Sequence, residues 1–302
     1  MSEENYQLIE EKDFEIECIG EQEEWVFDLE VEDNHNFFGN DILLHNSVYV
    51  VGKSKSKLGL ISEGRKLIDM INNLYKTIAK NHNAKICTLQ MEFEKIFEKV
   101  LFVSKRGADG ETTGAKKRYA YINLWEDGKF INERKVKYTG LDNVRSDTPR
   151  IAKIVQKAVI EMILDDVSER DVKDFISDID NKIRKGEITH EEIGFPKGIT
   201  ENLTNYKSKG PVIKGALYSN KYLGTRFSKG DKPKFLYIKN VPKGYPDTDV
   251  LTFEDELPEG FVPDYDKVNK RIFEMKLKSI FEVMGWKWEN PDKNIVTLEA
   301  WS

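Results

Sequence analysis

Cysteine is nearly absent: Cys18 and Cys87 are the only two in 302 residues. Two thiols cannot hold a structural zinc ion or build a disulfide framework, so the chain must rely on a packed core and suits a reducing cytoplasm. No apolar run approaches the ~18 residues that a membrane span requires. The start, Met1-Ser2-Glu3-Glu4, is acidic where a secretory signal would be basic and then apolar, so none is expected. There is no internal repeat and no low-complexity tract, which excludes solenoids and arrays. A phosphate cradle is missing too. Gly107, Gly110 and Gly114-Ala115-Lys116 lack the P-loop spacing and the hydroxyl residue after lysine, so they read as a flexible loop.

What is present is charge, unevenly distributed. Hydrophobic residues make up 39% and charged residues 33%, enough for a core and for solubility. The length allows about two domains of roughly 100–200 residues. The net charge of −6 hides a break: residues 1–46 hold 15 acidic residues and one lysine, while residues 47–302 hold 46 basic and 38 acidic ones. The first part is therefore at −14 and the second at +8. Such a break marks units with different partners, and the basic unit suits a polyanion.

The break falls on reactive chemistry. In Leu43-Leu44-His45-Asn46-Ser47, the Asn46 side-chain amide can attack its own carbonyl carbon, closing a succinimide and severing the bond to Ser47. Intramolecular geometry favours such a step by orders of magnitude in effective molarity. His45 is placed to polarise that carbonyl or protonate the leaving amine, and the Ser47 hydroxyl can accept an acyl group once a base activates it. His35 and Asp28 lie upstream, where a hairpin can bring a second acid–base pair to the junction. Phe14 to Ile19 and Val26 to Val31 alternate as short strands. About 40 residues is too little to fold alone, so this piece should complete another sheet.

Val26-Phe27-Asp28-Leu29-Glu30-Val31, His35-Asn36-Phe37-Phe38 and Asn40 through Ser47 together resemble the two C-terminal motifs of inteins. No N-terminal splicing motif accompanies them, so the resemblance is to the C-terminal half of a split intein. It implies a separate polypeptide carrying the N-terminal half, and splicing in trans through Asn46, His45, Ser47, His35 and Asp28. Opposite charge on the two halves speeds their association.

Beyond the junction, Val48 to Val51 reads as a strand and Ile61 to Lys80 as a helix with Leu67, Ile71, Leu74 and Ile78 on one stripe. Thr88 to Tyr138 is strand-rich, with a hairpin of Tyr119 to Trp125 and Lys129 to Lys137 turning at Asp127-Gly128. Thr148-Pro149 starts a helix with proline at its first position. Its stripe is Ile151, Ile154/Val155, Ala158/Val159 and Met162/Ile163. Ser168 and Asp171 cap a second helix that stops at Gly186, with Val172, Phe175/Ile176, Ile179 and Ile183 inward. The remainder reads as short strands between Gly/Pro turns, then a helix from about Asp266 to Met284.

Lys116-Lys117-Arg118-Tyr119-Ala120-Tyr121 puts three cations and two aromatics at the start of a strand. Such side chains reach phosphates and the minor groove. On these residues alone, a solvated basic strand end is the simpler reading.

Ser47-Val48-Tyr49-Val50 resembles the segment that follows the catalytic Asp-Thr-Asp of family B DNA polymerases. Lys116 to Ala120 is similar to that family's Lys-Lys-Arg-Tyr motif on the primer–template minor groove. Lys137 to Leu141, Ser146 to Pro149 and Val155 to Ala158 resemble its palm-to-thumb transition. Gly194-Phe195-Pro196 and Val212 to Asn220, with Lys214 as a DNA contact, are similar to thumb segments of the T-even phage type.

The resemblance implies an α+β chain: a short β-rich split-intein piece (1–46), the C-terminal part of the polymerase palm (47–140), and a mainly helical thumb (141–302). It implies primer–template DNA as partner, dNTPs as substrates, and Mg2+ held by aspartates that lie upstream of Ser47. Glu92 and Glu94, on one side of a strand, are near-site acids with an alternative as a solvated strand face. Leu298 and Trp301 resemble a tail that docks into a sliding clamp. The function implied is the C-terminal fragment of a split polymerase, active after ligation to the upstream fragment, with a bacterial host cytoplasm as its location if phage-encoded. The alternative is a non-catalytic DNA-binding subunit that keeps an inert or merely self-cleaving intein remnant.

Overall fold

The computed structural model describes residues 25–30, 36–39, 42–45, 47–81, 83–87, 89–106 and 112–289; side chains are described from Tyr49 onward, except over 104–117. Packing divides the chain into two units: Met1–Ile96 with Trp125–Lys129, and Phe97–Leu124 with Phe130–Ser302.

In the first unit, β1 (Trp25–Glu30) pairs antiparallel with β4 (Ser47–Gly52) in the register Trp25↔Gly52 through Glu30↔Ser47. β2 (Asn36–Gly39) and β3 (Ile42–His45) form a separate hairpin. Helix α1 (Lys57–Asn81) begins where the Ser56 hydroxyl accepts from the Gly59 amide at 3.0 Å, satisfying a donor that a helix start leaves open. It buries Leu60, Ile61, Gly64, Ile68 and Tyr75. Gly64 allows a close approach there: a Cβ would sit 2.4 Å from the Phe93 ring and would force it to shift. The Asn72 side chain clamps the Met91 backbone on both sides, donating to its carbonyl at 2.9 Å and accepting from its amide at 2.8 Å. The expected stripe is rotated. Leu67, Ile71 and Ile78 are only partly buried, and Leu74 is 55% exposed. Apolar residues occupy a wide arc of α1, and the close approach at Gly64 selects which side faces inward.

Strands β5 (Glu92–Arg106) and β6 (Thr112–Glu126) are long, at 15 residues each. With β7 (Lys129–Phe130) and β8 (Val136–Thr139) they belong to a sheet of order β4-β1-β5-β6-β7, with β8 also paired to β6. The turn at Asp127-Gly128 has positive φ at both positions, 47° and 83°, the conformation that Asp-Gly accepts most readily. Gly114, Ala115 and Lys116 lie within β6, so they are strand rather than loop; Gly107 and Gly110 lie outside the described residues.

In the second unit, α2 (Arg150–Leu164) buries Val155, Val159, Ile160 and Ile163 while Ile154 is 45% exposed. Pro149 is its cap rather than its first helical residue. α3 (Glu169–Arg184) starts at Ser168, which accepts from the Asp171 amide at 3.3 Å, and ends before Gly186 at φ 72°. Val172, Ile176 and Ile183 are buried as the periodicity predicts. The full reciprocal capping box is at Thr189 and Glu192 instead, on the short α4 (His190–Ile193).

A second sheet has the order β11-β10-β12, made of β10 (Lys234–Asn240), β11 (Val250–Phe253) and β12 (Val262–Pro263), with β9 (Phe195–Pro196) also on β10. Helix α5 (Pro211–Tyr222) packs on β11. This helix departs from the strand-and-turn reading of that stretch. Pro211 begins it at a position where no amide is needed, and Gly215 lets it approach the Thr252 backbone closely. The last helical stretch is α6 (Tyr265–Asn269), a π-helical turn (Lys270–Glu274) and α7 (Met275–Val283).

Candidate nucleic-acid interface

The register of β6 and β8 decides what Arg118 meets. Tyr119 pairs with Thr139 and Ala120 with Tyr138, so the chain leaving β8 runs back beside Arg118. Gly140, at φ 60°, bends it into a 3-10 turn, Asp142–Val144, anchored by fully buried Leu141. Arg118 donates to the Asp142 carboxylate at 3.4 Å.

Asp142 gathers further cations. Lys276 donates to it at 2.8 Å, and Arg145 Nε lies 3.9 Å away. Arg145 itself grips Asp147 with two bonds of 3.0 Å. That fork holds the Asp147 carboxyl down, to a pKa of about 2. Three cationic side chains thus share two carboxylates, and all are partly open to solvent: Arg118 is 32% exposed, Lys276 22% and Arg145 57%. The arrangement is preorganised and keeps a positive excess, the condition for phosphate binding.

The support beneath is polar and buried. Gln156, on α2, accepts from the Asn143 amide at 2.8 Å and donates to the Lys276 carbonyl at 2.9 Å. Its side chain therefore fixes the 3-10 turn against the start of α7. Tyr138 donates to Glu161 at 2.9 Å; burial first, and then Glu161, raise its pKa and keep it a donor. Tyr119 is half-buried with its ring 5.8 Å from Phe102 and 5.5 Å from Tyr121.

The other expected residues are distributed as follows. Lys116 and Lys117 precede Arg118 on β6, their side chains outside the described set. Lys214 is exposed in the first turn of α5 and makes no ion pair or side-chain hydrogen bond among the described residues. Glu92 and Glu94 are both on β5; Glu92 is exposed, while Glu94 pairs with Lys95, which also reaches Glu126 at 3.6 Å. No cluster of three or more His, Cys, Asp or Glu side chains suited to a metal ion occurs among the described residues. Among them, no helix is long and apolar enough to cross a membrane.

Of the junction residues, Asp28 lies on β1 opposite Tyr49, His45 ends β3 opposite Asn36, and Ser47 opens β4 opposite Glu30. His35 and Asn46, like Leu298 and Trp301, lie outside the described residues. Sequence reasoning missed Asp142, Arg145, Asp147, Gln156 and Lys276. The legible clue was an aspartate just past a strand that pairs with a basic one.

A model of DNA polymerase family B matches residues 60–275. The chain belongs to DNA polymerase family B. The family B match includes Arg118, Asp142, Arg145, Asp147 and Gln156 and reaches Met275, one residue before Lys276. A DNA polymerase of Thermococcus litoralis is 27% identical over 287 residues, covering 92% of this chain and 15% of the relative. One from Methanocaldococcus jannaschii is 28% identical, covering 89% of the chain and 17% of the relative. A third, from Thermococcus hydrothermalis, is 31% identical over 63% of the chain and 10% of its own length. The chain thus spans less than a fifth of each of these relatives.

Proposed function

We propose that the chain is the C-terminal precursor of a split DNA-directed DNA polymerase. Residues 47–302 supply the later palm and the thumb that grip primer–template DNA, and residues 1–46 are the C-terminal half of a split intein. The observation that carries the reading is the reach of the resemblance. A match covering 92% of the chain cannot be accommodated within residues 47–302, so it crosses the Asn46–Ser47 junction. Residues on both sides of the junction therefore align with that relative.

In this reading Asn46 cyclises, His45 assists, Ser47 accepts the incoming acyl group, and His35 and Asp28 serve the same centre. The upstream polypeptide brings the other intein half and, with it, the aspartates that hold Mg2+ for dNTP addition. The cations around Asp142, with Lys116, Lys117 and Lys214, track the DNA backbone. Leu298 and Trp301 anchor a sliding clamp, and Glu92 and Glu94 stand near the assembled site without holding metal on their own. The setting is a cytoplasm.

Co-expression with the upstream fragment tests it. Intact-mass analysis should find a fused product whose C-terminal part starts at Ser47, with templated synthesis appearing only then. Ligation that survives Asn46→Ala would refute the splicing reading. Synthesis by this chain alone would refute the division of labour.

A further inference from the structure

Strand β1 is flanked on both sides. β4 pairs with it from Trp25↔Gly52 to Glu30↔Ser47, and β5 is its other neighbour in the sheet. Among the described residues β4 has no second strand partner. Yet β1 and β4 lie on opposite sides of the Asn46–Ser47 bond.

Release of residues 1–46 would therefore remove a strand from inside a sheet rather than from its rim. Two facing rows of unpaired N–H and C=O groups would remain, one on β4 and one on β5, separated by the width of a strand. Unpaired strand edges recruit another strand. The walls of this gap also pack on a cluster that includes α1. Val50, of β4, packs with the Ile68, Tyr75 and Met91 cluster, and so does Phe93, near the start of β5. Asn72 of α1 clamps Met91 just ahead of β5.

We propose that β1 is a placeholder strand, occupying a slot between β4 and β5 that accepts a β-strand of the upstream polymerase fragment once residues 1–46 leave. The proposal rests on the trans-splicing reading above. The occupant is an extended segment able to pair with the six residues of β4 on one side and with β5 on the other. The chain covers only 15% of one relative, so the upstream fragment of this reading has ample length for such a segment. The arrangement also sets an order of events. β1 must leave the slot to join the partner intein half, so the slot opens only when the fragment that fills it has arrived.

The test is a reversible lock on the full chain. Phe27→Cys and Val50→Cys are directly paired positions, introduced with Cys18→Ser and Cys87→Ser. Paired strand residues have Cα atoms ~4.5–5.5 Å apart, within disulfide range. The bond should form in the isolated oxidised chain, abolish ligation to the upstream fragment, and release it on reduction. In the ligated product, amide exchange at Val48 to Val51 should stay as protected as in the precursor. Failure of the bond to form, equal ligation by oxidised and reduced chains, or unprotected β4 amides after ligation would each overturn the placeholder. Absence of ligation by the unaltered chain would sink the trans-splicing reading instead. Leu29→Cys with Val48→Cys, paired in the same register, repeats the test if the first pair impairs folding.

Discussion

Lys276 donates to Asp142 at 2.8 Å, although the two residues are 134 positions apart. The contact ties the start of α7 to the 3-10 turn that follows β8, and places Lys276 in the same cationic group as Arg118 and Arg145. Asp142 is the keystone, with a side chain only 14% exposed.

Replacing that carboxylate should loosen the group. Asp142→Asn leaves Arg118 and Lys276 facing each other across a neutral amide. A loss of about 1–2 kcal/mol is expected, in the range for hydrogen bonds to charged groups after allowance for solvent. Urea denaturation of the variant against the parent measures it, and an unchanged midpoint would show that the pairs contribute nothing.

Gln156 offers a cleaner case because it is buried and both of its partners are backbone groups. Gln156→Leu keeps the volume but strands the Asn143 amide and the Lys276 carbonyl. Each orphaned group costs ~1–3 kcal/mol, so a drop of at least about 2 kcal/mol is expected. Thermal and urea unfolding should agree on the sign.

Asp147 sets a pH dependence. Its carboxyl titrates at about 2 when folded against an ordinary 3.8, because Arg145 grips the charged form. A lowered folded value stabilises the native state above the unfolded pKa, and that contribution fades as pH falls from 3.8 toward 2. Both side chains are more than a third exposed, so solvent screening reduces the effect to about 0.5 kcal/mol. Asp147→Asn should be weaker than the parent at pH 7 and should converge with it near pH 2. A constant difference across that window would assign the effect to something other than the carboxylate charge.

Gly215 should resist enlargement. A Cβ there would lie 2.4 Å from Thr252 Oγ1 and 2.7 Å from the Thr252 amide nitrogen, and that hydroxyl already donates to the Val212 carbonyl at 2.9 Å. Alanine favours a helix over glycine by ~1 kcal/mol, but overpacking against backbone costs ~1–3 kcal/mol. Net destabilisation of Gly215→Ala is expected, together with loss of native α5 packing by near-ultraviolet circular dichroism. A gain in stability would mean that α5 can move off β11.

DNA affinity should follow the cations. Arg118→Ala and Lys116→Ala/Lys117→Ala should weaken duplex binding across sequences and flatten its salt dependence by about 0.9 in log–log slope per lost phosphate contact. Fluorescence anisotropy over a salt series reads this directly. An unaltered slope would return the motif to a solvated strand end.

Much of this was legible in the chain itself. The periodicities of Val155 to Ile163 and of Val172 to Ile183 gave α2 and α3 their inward faces, because a 3.6-residue repeat is a local property. Asp127-Gly128 marked its turn for an equally local reason, the ease with which those residues adopt positive φ. The charge break at Ser47, the His45-Asn46-Ser47 triplet and the Lys-Lys-Arg-Tyr run are visible in composition and spacing alone. Tertiary structure decided the rest. Only folding brings Lys276 to Asp142, lays Gln156 between two backbone segments, turns Val212 to Asn220 into a helix against Thr252, and slides β1 between β4 and β5. Those contacts join residues far apart in the chain, and their partners are chosen by packing and register. Neither is written in any short window of sequence.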